Sequence, residues 1–138
     1  MTNESNLVND LDREHNLSIV VVADDDRDNL VYISLILDAL NITYYLANDG
    51  KAALELVNQK QPDLVLLDIV MPILNGIEVN TTIKASQSTR LIPTVAITGL
   101  TQPEQIVAIE NAGFNDYIIK PFLIEDLETI LESWLKVG

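Results

Sequence analysis

The chain predicts an α/β fold, one open parallel sheet with helices packed on both faces. Three observations carry that reading. Short apolar runs alternate with longer amphipathic segments along all of residues 18–137, the pattern of repeated strand-helix units with right-handed crossovers. The runs are almost continuously apolar rather than alternating, as strands covered on both sides must be. Charged residues follow three of them: Asp24 and Asp25 after residues 19–23, Asp68 after 64–67, and Lys120 after 117–119. The carboxyl edge of such a sheet is where its ligands bind.

The strand candidates are residues 18–23, 43–47, 64–67, 94–98 and 116–119, each rich in Val, Ile, Leu, Thr or Tyr. Helices fall between them at about 27–40, 50–60, 76–86, 102–112 and 123–137. The first sets Leu30, Ile33, Leu37 and Leu40 on one face, with Asp26 or Asp28 available to cap it. Gly113 follows the fourth helix where a terminating glycine belongs. In the last helix Leu123, Leu127, Ile130 and Trp134 form a stripe expected to face the sheet. Ile124, Leu131 and Leu135 extend the apolar arc beyond it, toward the fourth helix or a partner.

Composition narrows the function. The chain has 138 residues, 48% of them apolar, enough for one domain around a single core. A net charge of −13 with eight scattered basic residues argues against gripping a nucleic-acid backbone. Without cysteine there is no disulfide, thiolate catalysis or thiolate-bound zinc, and one histidine builds no histidine-rich metal site. Residues 1–17 form a polar N-terminal extension without the apolar segment of a signal peptide, and no apolar stretch is long enough to cross a bilayer. A cytoplasmic location is therefore expected, with residues 18–138 as the domain.

Four segments together resemble the receiver domain of two-component response regulators. They are V-A-D-D-D-R-D-N at 22–29, P-D-L-V-L-L-D-I-V-M-P at 62–72 with Gly76, I-P-T-V-A-I-T-G at 92–99, and G-F-N-D-Y-I-I-K-P-F at 113–122. The resemblance covers residues 18–137. It implies a flavodoxin-like, doubly wound five-stranded parallel sheet in the order 2-1-3-4-5.

Carried onto matching positions, the resemblance makes Asp68 the phosphoacceptor, a carboxylate nucleophile that yields an aspartyl phosphate. Asp25, Asp68 and the Val70 carbonyl would hold Mg²⁺, with Asp24 acting through water, a set that suits a cation preferring few carboxylates and several waters. The same acidic run would also favour a helix N-terminus, and the two roles are compatible. Lys120 would contact a phosphoryl oxygen and pair with Asp68 otherwise, after a cis Lys120–Pro121 bond. Thr98 would donate its hydroxyl, Gly99 would leave room beside it, and Tyr117 matches the family's mobile aromatic position. Val70 and Leu100, both apolar, would line the path of the hydrolytic water and lengthen the phosphoryl lifetime. A histidine kinase or phosphotransfer protein is the implied donor. A downstream protein effector, or a homodimer through the fourth helix, fifth strand and fifth helix, is the implied output. The sequence holds no effector domain, so a stand-alone receiver is expected.

Two other classes fit less well. A magnesium phosphatase of haloacid-dehalogenase type would use Asp24 and Asp26 as its Asp-x-Asp pair, but Asp28 stands where that motif expects Thr or Val. A flavodoxin-like cofactor binder needs a Ser/Thr/Gly-rich phosphate loop where this chain is acidic.

Overall fold

The computed structural model describes residues 18–99 and 102–135. Strands and helices alternate as β1 (Ile19–Ala23), α1 (Arg27–Ala39), β2 (Thr43–Ala47), α2 (Gly50–Lys60), β3 (Leu64–Asp68), α3 (Gly76–Ala85), β4 (Thr94–Thr98), α4 (Pro103–Asn111), β5 (Asp116–Ile119) and α5 (Ile124–Trp134). The strands form one sheet in the order β2-β1-β3-β4-β5, every neighbouring pair parallel. This is the predicted flavodoxin-like arrangement, and strand order reverses beside β1, between β1 and β3.

Period-two alternation divides each strand between two cores. Val20, Val22, Leu64, Leu66, Val95, Ile97 and Ile118 join Leu30, Ile33 and Leu37 of α1 and Leu127, Ile130 and Leu131 of α5. Val21, Ala23, Val65, Leu67 and Ala96 pack on the other face against Ala53 and Val57 of α2, Val79 and Ile83 of α3 and Ile109 of α4. Helix ends follow local chemistry: the Asp26 and Asp49 carboxylates cap α1 and α2, and Asn75 with Glu78 forms a capping box on α3. Gly113, at φ +89°, turns the chain after α4.

The last helix corrects one expectation. Leu123 is its N-cap and is exposed, whereas Leu131 and Leu135 are core residues. Leu123 precedes the helix, whose buried face is built on Leu127, Ile130 and Leu131, and Leu135 joins the core from the extended C-cap position. Of the proposed outer flank only Ile124 is exposed. The helix ends at Trp134, with Leu135 as an extended C-cap, short of the expected residue 137; the N-terminal extension and Leu100 lie outside the described residues.

Candidate functional site

Strand alternation itself assembles the site. On β1, β3 and β5 the positions in phase with Val22, Leu66 and Ile118, which all face the α1/α5 core, are next occupied by Asp24, Asp68 and Lys120. The backbone holds register that far, since the Asp24 N–H donates to the Ala47 carbonyl at 3.1 Å and the Lys120 N–H to the Thr98 carbonyl at 2.7 Å. Three strand ends thus deliver two carboxylates and an ammonium to one corner of the sheet.

Lys120 Nζ lies 3.1 Å from Asp68 Oδ2 and 3.3 Å from Asp24 Oδ2. Asp24 is 0% and Asp68 4% exposed, so each ion needs partners to offset the loss of water. Asp24 has several. Its Oδ1 accepts the Asp26 N–H at 2.9 Å and its Oδ2 also accepts from Asn29 Nδ2 at 3.3 Å. Asp68 Oδ1 accepts the Val70 N–H at 3.2 Å. Asp25 is exposed at the mouth. Ligand oxygens of Asp24, Asp25 and Asp68 all lie within 4.8 Å of one another.

Charge is unbalanced here. Burial pushes the Asp68 carboxyl up to about 6 from 3.8, the neighbouring Asp24 adds to the rise, and Lys120 pulls it back. Burial disfavours the Lys120 ammonium, but attraction to Asp24 and Asp68 outweighs it and holds that group above its ordinary value. One ammonium among three carboxylates leaves the pocket negative, and the acidic donors are all oxygen. That set fits a hard divalent cation.

The remaining predicted residues are distributed around this centre. Thr98 is buried at the end of β4, one position beyond Ile97, the register partner of Asp68. Gly99 is exposed, and a Cβ there would meet nothing within 4 Å. Val70 is 63% exposed. The Lys120–Pro121 peptide is cis. Tyr117 does not join the cluster; it is exposed on edge strand β5 and lines a cleft of about 380 Å³ with Ile119, Asp126 and Thr129.

Sequence reasoning missed two residues of α1 that touch this machinery, Asn29 at Asp24 and Tyr32 at the loop after Lys120. A signal existed. A helix that begins at the acidic run must present some first-turn side chains to it, and positions 29 and 32 share one face. The fit of Gly76 was also unread: a Cβ there would overlap the Asp68 carbonyl oxygen and come within 2.9 Å of Ile69 Cα, so α3 sits directly on the backbone of Asp68. The phosphatase alternative finds no support here, because Asp26, the second aspartate of its motif, caps α1 and accepts the Asp28 N–H.

Comparison with known proteins agrees with the site. Residues 20–132 match the response regulator receiver domain. The chain is 38% identical over 120 residues to a probable cyclic di-GMP phosphodiesterase of Vibrio cholerae, covering 85% of this chain and 26% of that protein. It is 35% identical over 117 residues to the response regulator ArlR of Staphylococcus epidermidis, covering 85% of this chain and 52% of that protein. The chain thus spans about a quarter and about half of these relatives. Among solved structures, the receiver domain of the sensor histidine kinase PA1611 from Pseudomonas aeruginosa superimposes with a TM-score of 0.79 at 28% identity, covering 85% of this chain and 96% of that one. It carries a magnesium ion in its active-site cleft. With its fold, its acidic corner and this match in hand, the chain belongs to the response regulator receiver domains of two-component signalling.

Proposed function

We propose that this receiver accepts one phosphoryl group on Asp68 and passes the change to a protein partner. The observation that carries the reading is the Asp68 carboxylate, within 4.8 Å of carboxylate oxygens of Asp24 and Asp25 and 3.1 Å from the Lys120 ammonium. In transfer, an Asp68 oxygen forms a bond to phosphorus while the bond to the donor's leaving group breaks, its electron pair departing with that group. Lys120 would neutralise a phosphoryl oxygen, and the Thr98 hydroxyl would donate to another, with Gly99 leaving room beside it. Asp25, Asp68 and the Val70 carbonyl would hold Mg²⁺, with Asp24 acting through water. The ion would supply charge neutralisation on the transferring group.

The donor in this reading is a phosphohistidine of a kinase or phosphotransfer protein, and the reaction is the receiver's own modification rather than turnover of a substrate. The output face is α4, β5 and α5, where Val107, Tyr117, Ile119 and Ile124 are exposed apolar residues, and it serves an effector or a second copy of the chain. Val70 offers no polar group to orient water, which favours a long-lived aspartyl phosphate. Among the described residues no helix is long and apolar enough to cross a membrane, and the domain acts in the cytoplasm.

Incubation with Mg²⁺ and acetyl phosphate, followed by intact mass, tests the reading. The protein gains one phosphoryl group, and neither Asp68→Asn nor the parent in excess chelator does. Equal uptake by Asp68→Asn would refute the assignment.

A further inference from the structure

Tyr32 lies outside the acidic cluster and yet meets the segment that presents Lys120. Its hydroxyl donates to the Phe122 carbonyl at 3.1 Å, and its ring packs on Phe122 with centroids 5.6 Å apart. Phe122 is buried in the α1/α5 core, while Pro121 beside it is exposed. Asn29, Tyr32, Lys120, Pro121 and Phe122 line one cleft between α1 and the β5–α5 loop.

The connection has mechanical consequences. Lys120 leaves the sheet just after its N–H meets the Thr98 carbonyl, and its flexible stem can place the ammonium in many positions. The direction of the chain at residues 120–122 selects among them. On the sheet side the segment is fixed by that bond to Thr98, and on the helix side Tyr32 holds it. A shift of an ångström there is large beside the 3.1 Å separation of Lys120 Nζ and Asp68 Oδ2, and misplacement on that scale costs up to about a hundredfold in rate.

We propose that Tyr32 is a positioning residue for phosphoryl transfer, tying the Phe122 carbonyl to α1 so that the loop presents the Lys120 ammonium to Asp68. The inference rests on the reading of Asp68 as phosphoacceptor and adds a residue to it. Tyr32 touches neither the carboxylates nor the phosphoryl position in this scheme; it acts through Lys120. It also makes α1 a lever on the site, since displacement of this helix by a bound partner moves the anchor.

Tyr32→Phe keeps the ring contact and deletes only the hydroxyl. With Mg²⁺ and acetyl phosphate, the variant should be phosphorylated about three- to tenfold more slowly. Its Mg²⁺ dissociation constant should stay within about twofold, and its melting midpoint within about 5 °C, as loss of one partly exposed hydrogen bond implies. In a Lys120→Ala background the same substitution should leave the residual rate unchanged, because a residue acting through Lys120 has nothing left to act on. Phosphorylation of Tyr32→Phe at the parent's rate overturns the inference. So does an equal fold loss in both backgrounds, which would make Tyr32 a general structural residue. If the unsubstituted protein takes up no phosphoryl group, the reading of Asp68 fails first and takes this one with it; a failure confined to Tyr32 appears only in the variants.

Discussion

Asp24 and Lys120 form an ion pair at 3.3 Å in which the carboxylate is fully buried and the lysine is one-quarter exposed. The pairing gives Asp24 a structural role beside the one proposed for it at the metal. It holds the ammonium within reach of Asp68 whatever the state of Asp68 itself. On the proposed function, substituting Asp24 should disturb both metal binding and phosphoryl transfer, whereas substitutions at Asp25 and Lys120 should separate them.

Asp25→Ala removes an exposed carboxylate without opening the core, so folding should be preserved. Mg²⁺ affinity and phosphorylation should fall together, by about tenfold or more, equivalent to one lost interaction of about 1.4 kcal/mol. Lys120→Ala should slow phosphorylation by a similar factor without weakening Mg²⁺ binding, because the deleted group repels the cation. Titration of Mg²⁺ alongside the rate of uptake checks both. Parallel losses in the two variants would contradict the division.

Stability of the metal-free protein should depend on pH through Asp68. Its folded value of about 6 exceeds the ordinary 3.8, so between those values the folded state holds a proton that the unfolded chain releases. Stability from this group is then greatest below about pH 4 and declines as pH rises through 6. The full effect is on the order of 2–3 kcal/mol. Asp68→Asn should remove that slope and raise the denaturation midpoint near pH 7. Mg²⁺ binding to the parent should weaken as pH falls below about 6, since a proton competes for the same oxygen. Chemical denaturation at several pH values, with and without Mg²⁺, reads all three.

Two glycines near the site should respond oppositely to alanine. Gly76→Ala drives a methyl into the Asp68 carbonyl oxygen and the Ile69 backbone, an overpacking that costs about 1–3 kcal/mol and moves Asp68 relative to its partners. Its phosphorylation should fall with its stability. At Gly99 a methyl meets nothing within 4 Å, so Gly99→Ala should be neutral or stabilising by up to about 1 kcal/mol through the unfolded chain. Melting curves and uptake rates for the pair are a direct comparison.

Much of this was legible because the decisive residues terminate apolar runs. Asp24, Asp68 and Lys120 each continue the phase of a buried strand, and a charge there has few other reasons to exist. Strand bounds were within a residue of those found, with β3 extending to Asp68 itself. Contacts set by tertiary packing were not legible. The ring and hydroxyl of Tyr32 meet Phe122 across ninety positions of chain, and Trp134 Nε1 donates to Asp116 Oδ2 at 3.0 Å between α5 and β5. Neither pairing leaves a local pattern. Leu123 fits the apolar period of α5 but, as N-cap, stands outside the helical repeat.

The most direct test of the central claim locates the phosphoryl group chemically. Protein phosphorylated by acetyl phosphate with Mg²⁺ is treated with borohydride, which reduces an acyl phosphate to the alcohol and converts the modified aspartate to homoserine. The fragments are then sequenced by mass spectrometry. Homoserine at position 68 and at no other aspartate is the predicted result. Homoserine at position 24 or 25, or a phosphorylated protein with Asp68 unaltered, would contradict it.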